Sequence, residues 1–219
     1  NARQHQLSGI LNGIDTAVFD PAHDTGITAP YSMDDMSGKA VCRAALCQEL
    51  GLEIGEHTPI VAMVTRITPQ KGFDLVQCVL DELMDNEDMA FVLLGTGNAE
   101  YEDFMRSAEW RHKGRLCAYI GYDEALSHRV YAGSDFLLMP SSFEPCGLSQ
   151  MIAMRYGTLP IVRETGGLRD SVQPYNRFTG EGTGFSFANF NAYELADTIR
   201  RALALYHDDH GAYCRVQRQ

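Results

Sequence analysis

The sequence is short of positive charge. Its 18 lysine and arginine residues face 29 aspartate and glutamate residues, for a formal net charge of −11. A protein that binds nucleic acid through the phosphate backbone needs a basic face, and this composition argues against one. A small anionic ligand remains compatible with the sequence, because such a ligand needs only local positive charge.

Other features are missing as well. No apolar run approaches the roughly 18 residues that a membrane-spanning helix needs. The six cysteines form no Cys-x-x-Cys pair, and no histidine lies near them at the spacing of a zinc site. The sequence therefore predicts no membrane span and no metal site, and it favours a reducing compartment over a disulfide-bonded exterior. We expect Cys78 and Cys117, which lie within apolar patterns, to be core residues.

The chain begins with a polar stretch and lacks an initiator methionine. This start is not a secretory signal peptide, and it suggests a piece of a longer chain. At 219 residues the chain suffices for one large domain or two small ones. We expect residues 1–40, which are rich in turn formers, to be an interdomain segment. We expect residues 41–219 to form one domain of that longer chain.

What the sequence does contain is an alternation of short apolar runs and amphipathic stretches. Five apolar runs predict buried strands, at residues 60–64, 91–94, 116–120, 136–139 and 159–162. Helical periodicity or turn signals predict helices at residues 38–51, 73–83, 100–110, 124–131, from about 147, after 167, and 192–206. Strands that are apolar throughout are buried on both faces. We predict an α/β fold, a doubly wound Rossmann-like parallel sheet with helices on both faces.

Two cations follow the first predicted strand. Arg66 and Lys71 lie in a turn, and residues 60–73 include no aspartate or glutamate. Two cations five residues apart could bracket a diphosphate, at about 1.5–3 kcal/mol for each charge-assisted hydrogen bond. A solvated basic turn explains the same residues equally well when this turn is considered alone.

A second polar turn, residues 140–150, connects the fourth predicted strand to a helix and contains Glu144 and Cys146. Ligands of open parallel sheets bind outside the carboxyl ends of the strands, and amides that open a helix can bind an anion. The plainer alternative for Glu144 is stabilisation of a helix N-terminus. Because all strand-to-helix turns of a parallel sheet emerge at one edge, we favour a shared nucleotide-sugar site with the basic turn.

Three further motifs leave alternatives open. Residues 95–100 miss the dinucleotide-binding fingerprint, because Glu100 occupies its last position and a strand–helix unit precedes it, so we interpret them as a tight turn. Tyr122 either stacks on a base or packs at a domain edge. The pair Gly166-Gly167 either approaches a ligand closely or permits a tight start to a helix.

Together these residues resemble the glycogen and starch synthases of glycosyltransferase family 5. The resemblance covers nearly the whole chain, through residues 9–15, 39–40, 51–52, 66–72, 95–97, 119–124, 140–150, 156–163 and 165–168. Members of the larger family 4 carry a second glutamate eight residues after the first, and Ile152 stands at that position here. This difference favours family 5 and ADP-glucose as the donor.

The resemblance implies a GT-B fold, of which this chain would be the C-terminal, donor-binding half. It implies a catalytic set of Arg66, Lys71 and Glu144, with the two cations at the diphosphate of ADP. It also implies a substrate-binding set in which Tyr122 lies against the adenine, Cys146 lines the glucose pocket with Glu144, and the amides of the next three residues face the distal phosphate: Gly147, Leu148 and Ser149. No metal and no other cofactor is implied, since the cations take the role of a metal.

The implied activity is retaining transfer of glucose from ADP-glucose to the non-reducing end of an α-1,4-glucan. The glucan and an N-terminal domain would be the partners, with no nucleic acid and no membrane, in the bacterial cytoplasm or a plant plastid. We expect this chain alone to bind ADP without transferring glucose. The alternatives are a non-catalytic nucleotide-binding module and a family 4 transferase that uses another nucleotide sugar.

Overall fold

The computed structural model describes residues 12–219. The first part of the predicted interdomain segment, and residues 9–11 of the first family motif, lie outside the described residues. None of the helices found in residues 12–219 is both long enough and apolar enough to cross a membrane.

Six strands form one parallel sheet. They are β1 (Ile60–Val64), β2 (Ala90–Gly95), β3 (Leu116–Ile120), β4 (Phe136–Met139), β5 (Leu159–Arg163) and β6 (Phe185–Phe187). Their order in the sheet is β3-β2-β1-β4-β5-β6, and every neighbouring pair is parallel. This is the Rossmann strand order, which reverses between β1 and β4, and ligands of such sheets bind at that reversal.

Helices cover both faces of the sheet. They are α1 (Ser37–Leu50), α2 (Phe73–Asn86), α3 (Ala99–Arg111), α4 (Glu124–Gly133), α5 (Ser149–Arg155), α6 (Gly166–Ser171), α7 (Ala192–Asp208) and α8 (His210–Gln217). Alternate residues of β1 enter two separate cores, Val61 and Met63 with α2, α3, α7 and α8, and Ile60 and Ala62 with α1, α4 and α5. Burial on both faces explains why the strand sequences are mostly apolar. The predicted doubly wound α/β fold is confirmed.

Two elements were not predicted. The strand β6 has three residues and a serine at its centre, too short for a periodic signal, yet Phe185 and Phe187 both enter a core. The helix α8 begins two residues after α7 ends, and Asp209 caps it by accepting a hydrogen bond from Ala212 N at 2.9 Å. The sequence therefore predicts five of the six strands and misses the edge strand β6.

One cysteine prediction was right and one was wrong. Cys117 is buried in the core, as expected, whereas Cys78 is exposed. The buried stripe of α2 runs through Val76, Val79, Leu80 and Leu83, and position 78 points away from it. All six cysteines are free thiols.

The segment that precedes α1 packs against the amino edge of the sheet. Tyr31 is buried and its hydroxyl donates to Tyr156 O at 2.8 Å, while His128 Nδ1 lies 2.7 Å from Asp24 Oδ2. Lys39, on α1, is also buried, and its ammonium donates to Tyr156 O and to acceptors from α4 and the start of β5. Residues 24–39 thus share one hydrogen-bonded network with the rest of the domain.

Candidate functional site

The turns that follow β1 and β4 contact each other where the strand order reverses. Ser142 N donates to Gln70 O at 2.9 Å, and Gln70 Nε2 donates to Phe143 O at 3.1 Å. Gly72 closes the first turn with φ of +82°, and a Cβ there would stand 2.2 Å from Pro140 O. Only glycine permits both this left-handed conformation and this close approach.

An ion pair joins the two turns. Lys71 Nζ contacts Glu144 Oε2, and the two side chains are only 16% and 10% exposed. Ser141 Oγ donates to the same carboxylate oxygen at 3.3 Å. Among residues 12–219 the Lys71 ammonium has no other hydrogen-bond partner, so two of its three donors remain for a ligand. The structure therefore brings together one cation and the carboxylate that the sequence singled out.

A cavity of about 260 Å³ opens at the same edge of the sheet, at the carboxyl ends of β1, β2 and β3. Arg66 and Tyr122 are among its lining residues, which also include Thr65, Thr96 and Asp123. The Tyr122 side chain is 86% exposed, so its ring is accessible to a ligand. The site thus has two parts, because Lys71, Glu144 and residues 146–149 do not line the cavity.

Arg66 is exposed at the cavity wall, on the turn that leads from β1 toward Lys71. Within the described part of the chain its guanidinium makes no hydrogen bond and no ion pair with protein. Because its charge is unneutralised by the protein, it is available to an anion that enters from the cavity.

Gly95 and Gly97, the glycines of the segment that partly matches the dinucleotide-binding fingerprint, pack closely against the turn that follows β1. A Cβ at Gly95 would stand 1.8 Å from Thr65 O, and one at Gly97 would stand 2.0 Å from Ile67 O. Glu102 Oε1 accepts hydrogen bonds from Gly97 N and Thr96 Oγ1, and the bond from Gly97 N is the main cause that lowers the pKa of Glu102. These glycines therefore let two loops of the site approach each other, as expected of a tight turn.

The pair Gly166-Gly167 packs against the backbone of the second turn. A Cβ at Gly166 would stand 2.0 Å from Glu144 O, and one at Gly167 would stand 2.0 Å from Cys146 O. Gly167 N donates to Glu144 O at 3.1 Å. The pair also opens α6, which is the tight helix start that the sequence suggested, and the close approach that the structure shows is to the backbone of the second turn.

Residues 146–149 complete the second turn before α5. Gly147 has φ of +71°, and Gln150 Nε2 donates to Cys146 O at 3.1 Å and Gly147 O at 2.9 Å. Across a trans peptide the carbonyl and the next N–H point in opposite directions. The amides of Gly147 and Leu148 therefore point away from the buried Gln150 side chain.

Sequence reasoning missed the roles of two residues. Gln150 is fully buried and orients the peptide groups of the second turn. Arg163, the last residue of β5, donates to Ser141 O at 3.0 Å and Ser142 O at 2.7 Å. The sequence signal that could have identified Arg163 is its position directly after an apolar run, because a residue at the carboxyl end of β5 lies at the edge of the sheet where the site forms.

Comparison with known proteins identifies the family of the chain. The sequence profile described as glycosyl transferases group 1 matches residues 51–213. The chain belongs to this family. A glycogen synthase of Bacillus cereus (strain ATCC 10987 / NRS 248) is 54% identical over 203 residues, and one of Geobacillus thermodenitrificans (strain NG80-2) is 54% identical over 205 residues. The matches span 93% and 94% of this chain and 42% of each relative, so the chain covers less than half the length of these proteins.

The fold of this group 1 glycosyltransferase domain has counterparts among solved structures. The catalytic domain of starch synthase IV from Arabidopsis thaliana, bound to ADP and acarbose, matches with a TM-score of 0.89 and 37% identity, over 96% of this chain and 44% of that chain. The C-terminal domain of LpcC from Francisella tularensis matches with a TM-score of 0.64 over 94% of this chain and 93% of that domain; at 18% identity it is similar in fold alone. The resemblance to glycogen and starch synthases is confirmed.

Proposed function

We propose that this chain is the ADP-glucose-binding domain of a glycogen or starch synthase, which transfers glucose from ADP-glucose to the non-reducing end of an α-1,4-glucan. The observation that carries the proposal is the Lys71–Glu144 ion pair at the reversal of strand order, at the same edge of the sheet as a cavity lined by Arg66 and Tyr122. The 54% identity to bacterial glycogen synthases and the similarity to a starch synthase structure that contains ADP support it.

The nucleotide would occupy the cavity. The exposed Tyr122 ring offers a stacking surface for the adenine, and such stacking typically contributes about 1–3 kcal/mol. The diphosphate would then extend toward Arg66 and Lys71. The amides of Gly147, Leu148 and Ser149 would contact the distal phosphate.

Glucose would lie on the Glu144 side of the ion pair. The carboxylate accepts hydrogen bonds from sugar hydroxyls, and Cys146 contributes the neighbouring wall. Lys71 contacts Glu144 and retains two donors for the phosphate, so one ammonium connects the sugar end of the donor to its leaving group.

The cations would act when the bond between the anomeric carbon and the phosphate oxygen breaks. Negative charge then develops on ADP while the glucosyl group gains oxocarbenium character. Arg66 and Lys71 would stabilise the developing charge electrostatically, in a site whose dipoles are already in place. We propose no metal and no other cofactor for this step, since these two cations supply the positive charge that the leaving group needs.

Transfer would need residues beyond this chain, which spans 42% of the glycogen synthases it matches. We propose that a second domain completes the cleft and binds the glucan, and that this chain alone binds the donor without transferring glucose. The 54% identity to bacterial glycogen synthases, against 37% to the plant starch synthase, favours a bacterial, cytoplasmic glycogen synthase.

A thermal-shift titration with ADP, UDP and GDP tests the proposal. A ligand at 100 times its dissociation constant stabilises a fold by about 2.7 kcal/mol, and we expect this stabilisation with ADP at concentrations where UDP and GDP have little effect. A preference for UDP or GDP would instead identify a transferase with another donor, and no response to any nucleotide would exclude the site.

Two arginine variants sharpen the titration. Arg66→Met is expected to weaken the response to ADP, because it removes the unpaired cation at the cavity. Arg177→Met is the matched control, since Arg177 is also exposed. Within residues 12–219 its guanidinium makes no hydrogen bond or ion pair and lies over the Phe178 ring, with Cζ 4.8 Å from the centroid.

A comparison of ADP-glucose with ADP tests the alternative of a non-catalytic module. A purely nucleotide-binding module would bind ADP-glucose no more tightly than ADP, so the two ligands are compared in the same experiment.

A further inference from the structure

Arg163, at the end of β5, connects two loops at the carboxyl edge of the sheet. Its guanidinium donates from Nε to Ser141 O at 3.0 Å, from Nη2 to Ser142 O at 2.7 Å and from Nη1 to Ala188 O at 3.2 Å. The Phe190 ring lies over the same group, with its centroid 5.8 Å from Arg163 Cζ. All three nitrogens of the guanidinium are therefore engaged by backbone carbonyls.

The geometry at Ser141 and Ser142 requires an arginine. Two consecutive carbonyls accept from two nitrogens of one rigid, planar group, which fixes both the position and the orientation of this peptide. A lysine has one nitrogen and no fixed fork, so it retains the charge but not this geometry.

The peptide that Arg163 fixes is the one that positions the ion pair. Ser141 Oγ donates to Glu144 Oε2 at 3.3 Å, and Ser142 N donates to Gln70 O, one residue before Lys71. Glu144 is thus one hydrogen bond away from the segment that the guanidinium holds, and Lys71 is one hydrogen bond and one residue away.

We propose that Arg163 is a positioning residue of the donor site: by fixing the Ser141–Ser142 peptide, it sets where the Glu144 carboxylate meets Lys71 and a bound sugar. The inference rests on the proposed function in one respect, that the sugar of the donor lies at Glu144. Arg163 itself need not touch the ligand, so its effect reaches the ligand through Glu144.

The test is a double-mutant cycle on ligand affinity. The dissociation constants of ADP and ADP-glucose are measured by calorimetry for the wild-type chain, Arg163→Met, Glu144→Gln and the double variant. We expect Arg163→Met to weaken ADP-glucose by about tenfold and ADP by much less, because the displaced carboxylate contacts the sugar. In the double variant we expect no loss beyond that of Glu144→Gln, because both substitutions remove the same interaction.

A merely structural role gives a different result. If Arg163→Met weakens ADP and ADP-glucose equally, or if its effect adds in full to that of Glu144→Gln, the positioning role is wrong. If the wild-type chain binds neither ligand, the proposed function fails instead, so the two failures are distinguishable.

Two further variants guard against misfolding. Arg163→Lys retains the charge, and we expect it to fold and to show the same selective loss for ADP-glucose, so equal affinities to wild type would also overturn the proposal. Arg201→Met is the matched control, because Arg201 also donates to a backbone carbonyl, Ser186 O at 3.2 Å, on the β6 strand and away from Glu144. We expect its affinities for both ligands to match those of the wild type.

Discussion

The two edges of the sheet use charge in opposite ways. At the amino edge, Arg43 Nη1 lies 2.8 Å from Asp135 Oδ2, and the buried Lys39 ammonium is surrounded by carbonyl and hydroxyl oxygens. At the carboxyl edge, Arg66 is exposed without a protein partner in the described residues, and Lys71 has one. The comparison separates cations that stabilise the fold from cations that remain available to an anion.

The amino edge also shows the cost of burying charge. Burial raises the pKa of Asp135, and the Arg43 guanidinium and the hydrogen bond from Ile60 N oppose that rise. Because the carboxylate has these partners, it can remain in the interior. We therefore expect removal of a partner there to lower the free energy of unfolding, and removal of a cation at the carboxyl edge to weaken ligand binding.

The largest expected effect is at the amino edge. Asp135→Ala leaves the Arg43 guanidinium without its carboxylate in a site where the two side chains are 14% and 10% exposed. We expect the free energy of unfolding to fall by about 3–5 kcal/mol, the usual range for breaking a buried ion pair. Urea denaturation measures it, with Asp103→Ala on an exposed pair as the control. A loss below about 1 kcal/mol, typical of surface pairs, would contradict the assignment of this pair to the fold.

A smaller effect, on binding alone, is expected at the carboxyl edge. Tyr122→Leu removes the ring proposed to stack on the adenine, so ADP affinity should fall by about 1–3 kcal/mol. Stability should change by less than about 0.5 kcal/mol, because the side chain is exposed. Tyr193→Leu is the matched control, since that tyrosine is equally exposed, at 84%, and lies on α7. Equal ADP affinity in the two variants would show that Tyr122 does not contact the nucleotide.

The sequence predicts the sheet well because most residues of the first five strands are buried, on both faces of the sheet, and these strands are therefore mostly apolar. It also predicts which polar residues lie at the carboxyl edge, because all the strand-to-helix turns of a parallel sheet emerge there. The strand β6 is not predicted because three residues are too few to show a periodic pattern of apolar residues. The contacts of Arg163 escape it because they join residues about twenty positions apart through backbone carbonyls, which have no signature in the sequence.

The smallest effect is a pH dependence at the amino edge. Burial raises the pKa of Tyr31, whose hydroxyl donates to Tyr156 O, above its ordinary value of about 10. The folded state therefore retains this proton at a pH where the unfolded chain has released it. The stability that Tyr31 contributes is fully present below about pH 10, and it is lost as pH rises above that value, at about 1.4 kcal/mol per pH unit.

Urea denaturation between pH 9 and pH 11 measures this dependence. Tyr31→Phe should make the fall in the free energy of unfolding above pH 10 less steep, by about 1.4 kcal/mol per pH unit, because phenylalanine has no proton to lose. Burial also raises the pKa values of Tyr156 and Tyr206, so part of the fall should remain. Below pH 9 the two proteins should show the same pH dependence, which is the internal control. An unchanged slope above pH 10 would show that Tyr31 loses its proton as readily in the folded state as in the unfolded chain, and the contrast between a structural amino edge and an accessible carboxyl edge would no longer extend to protons.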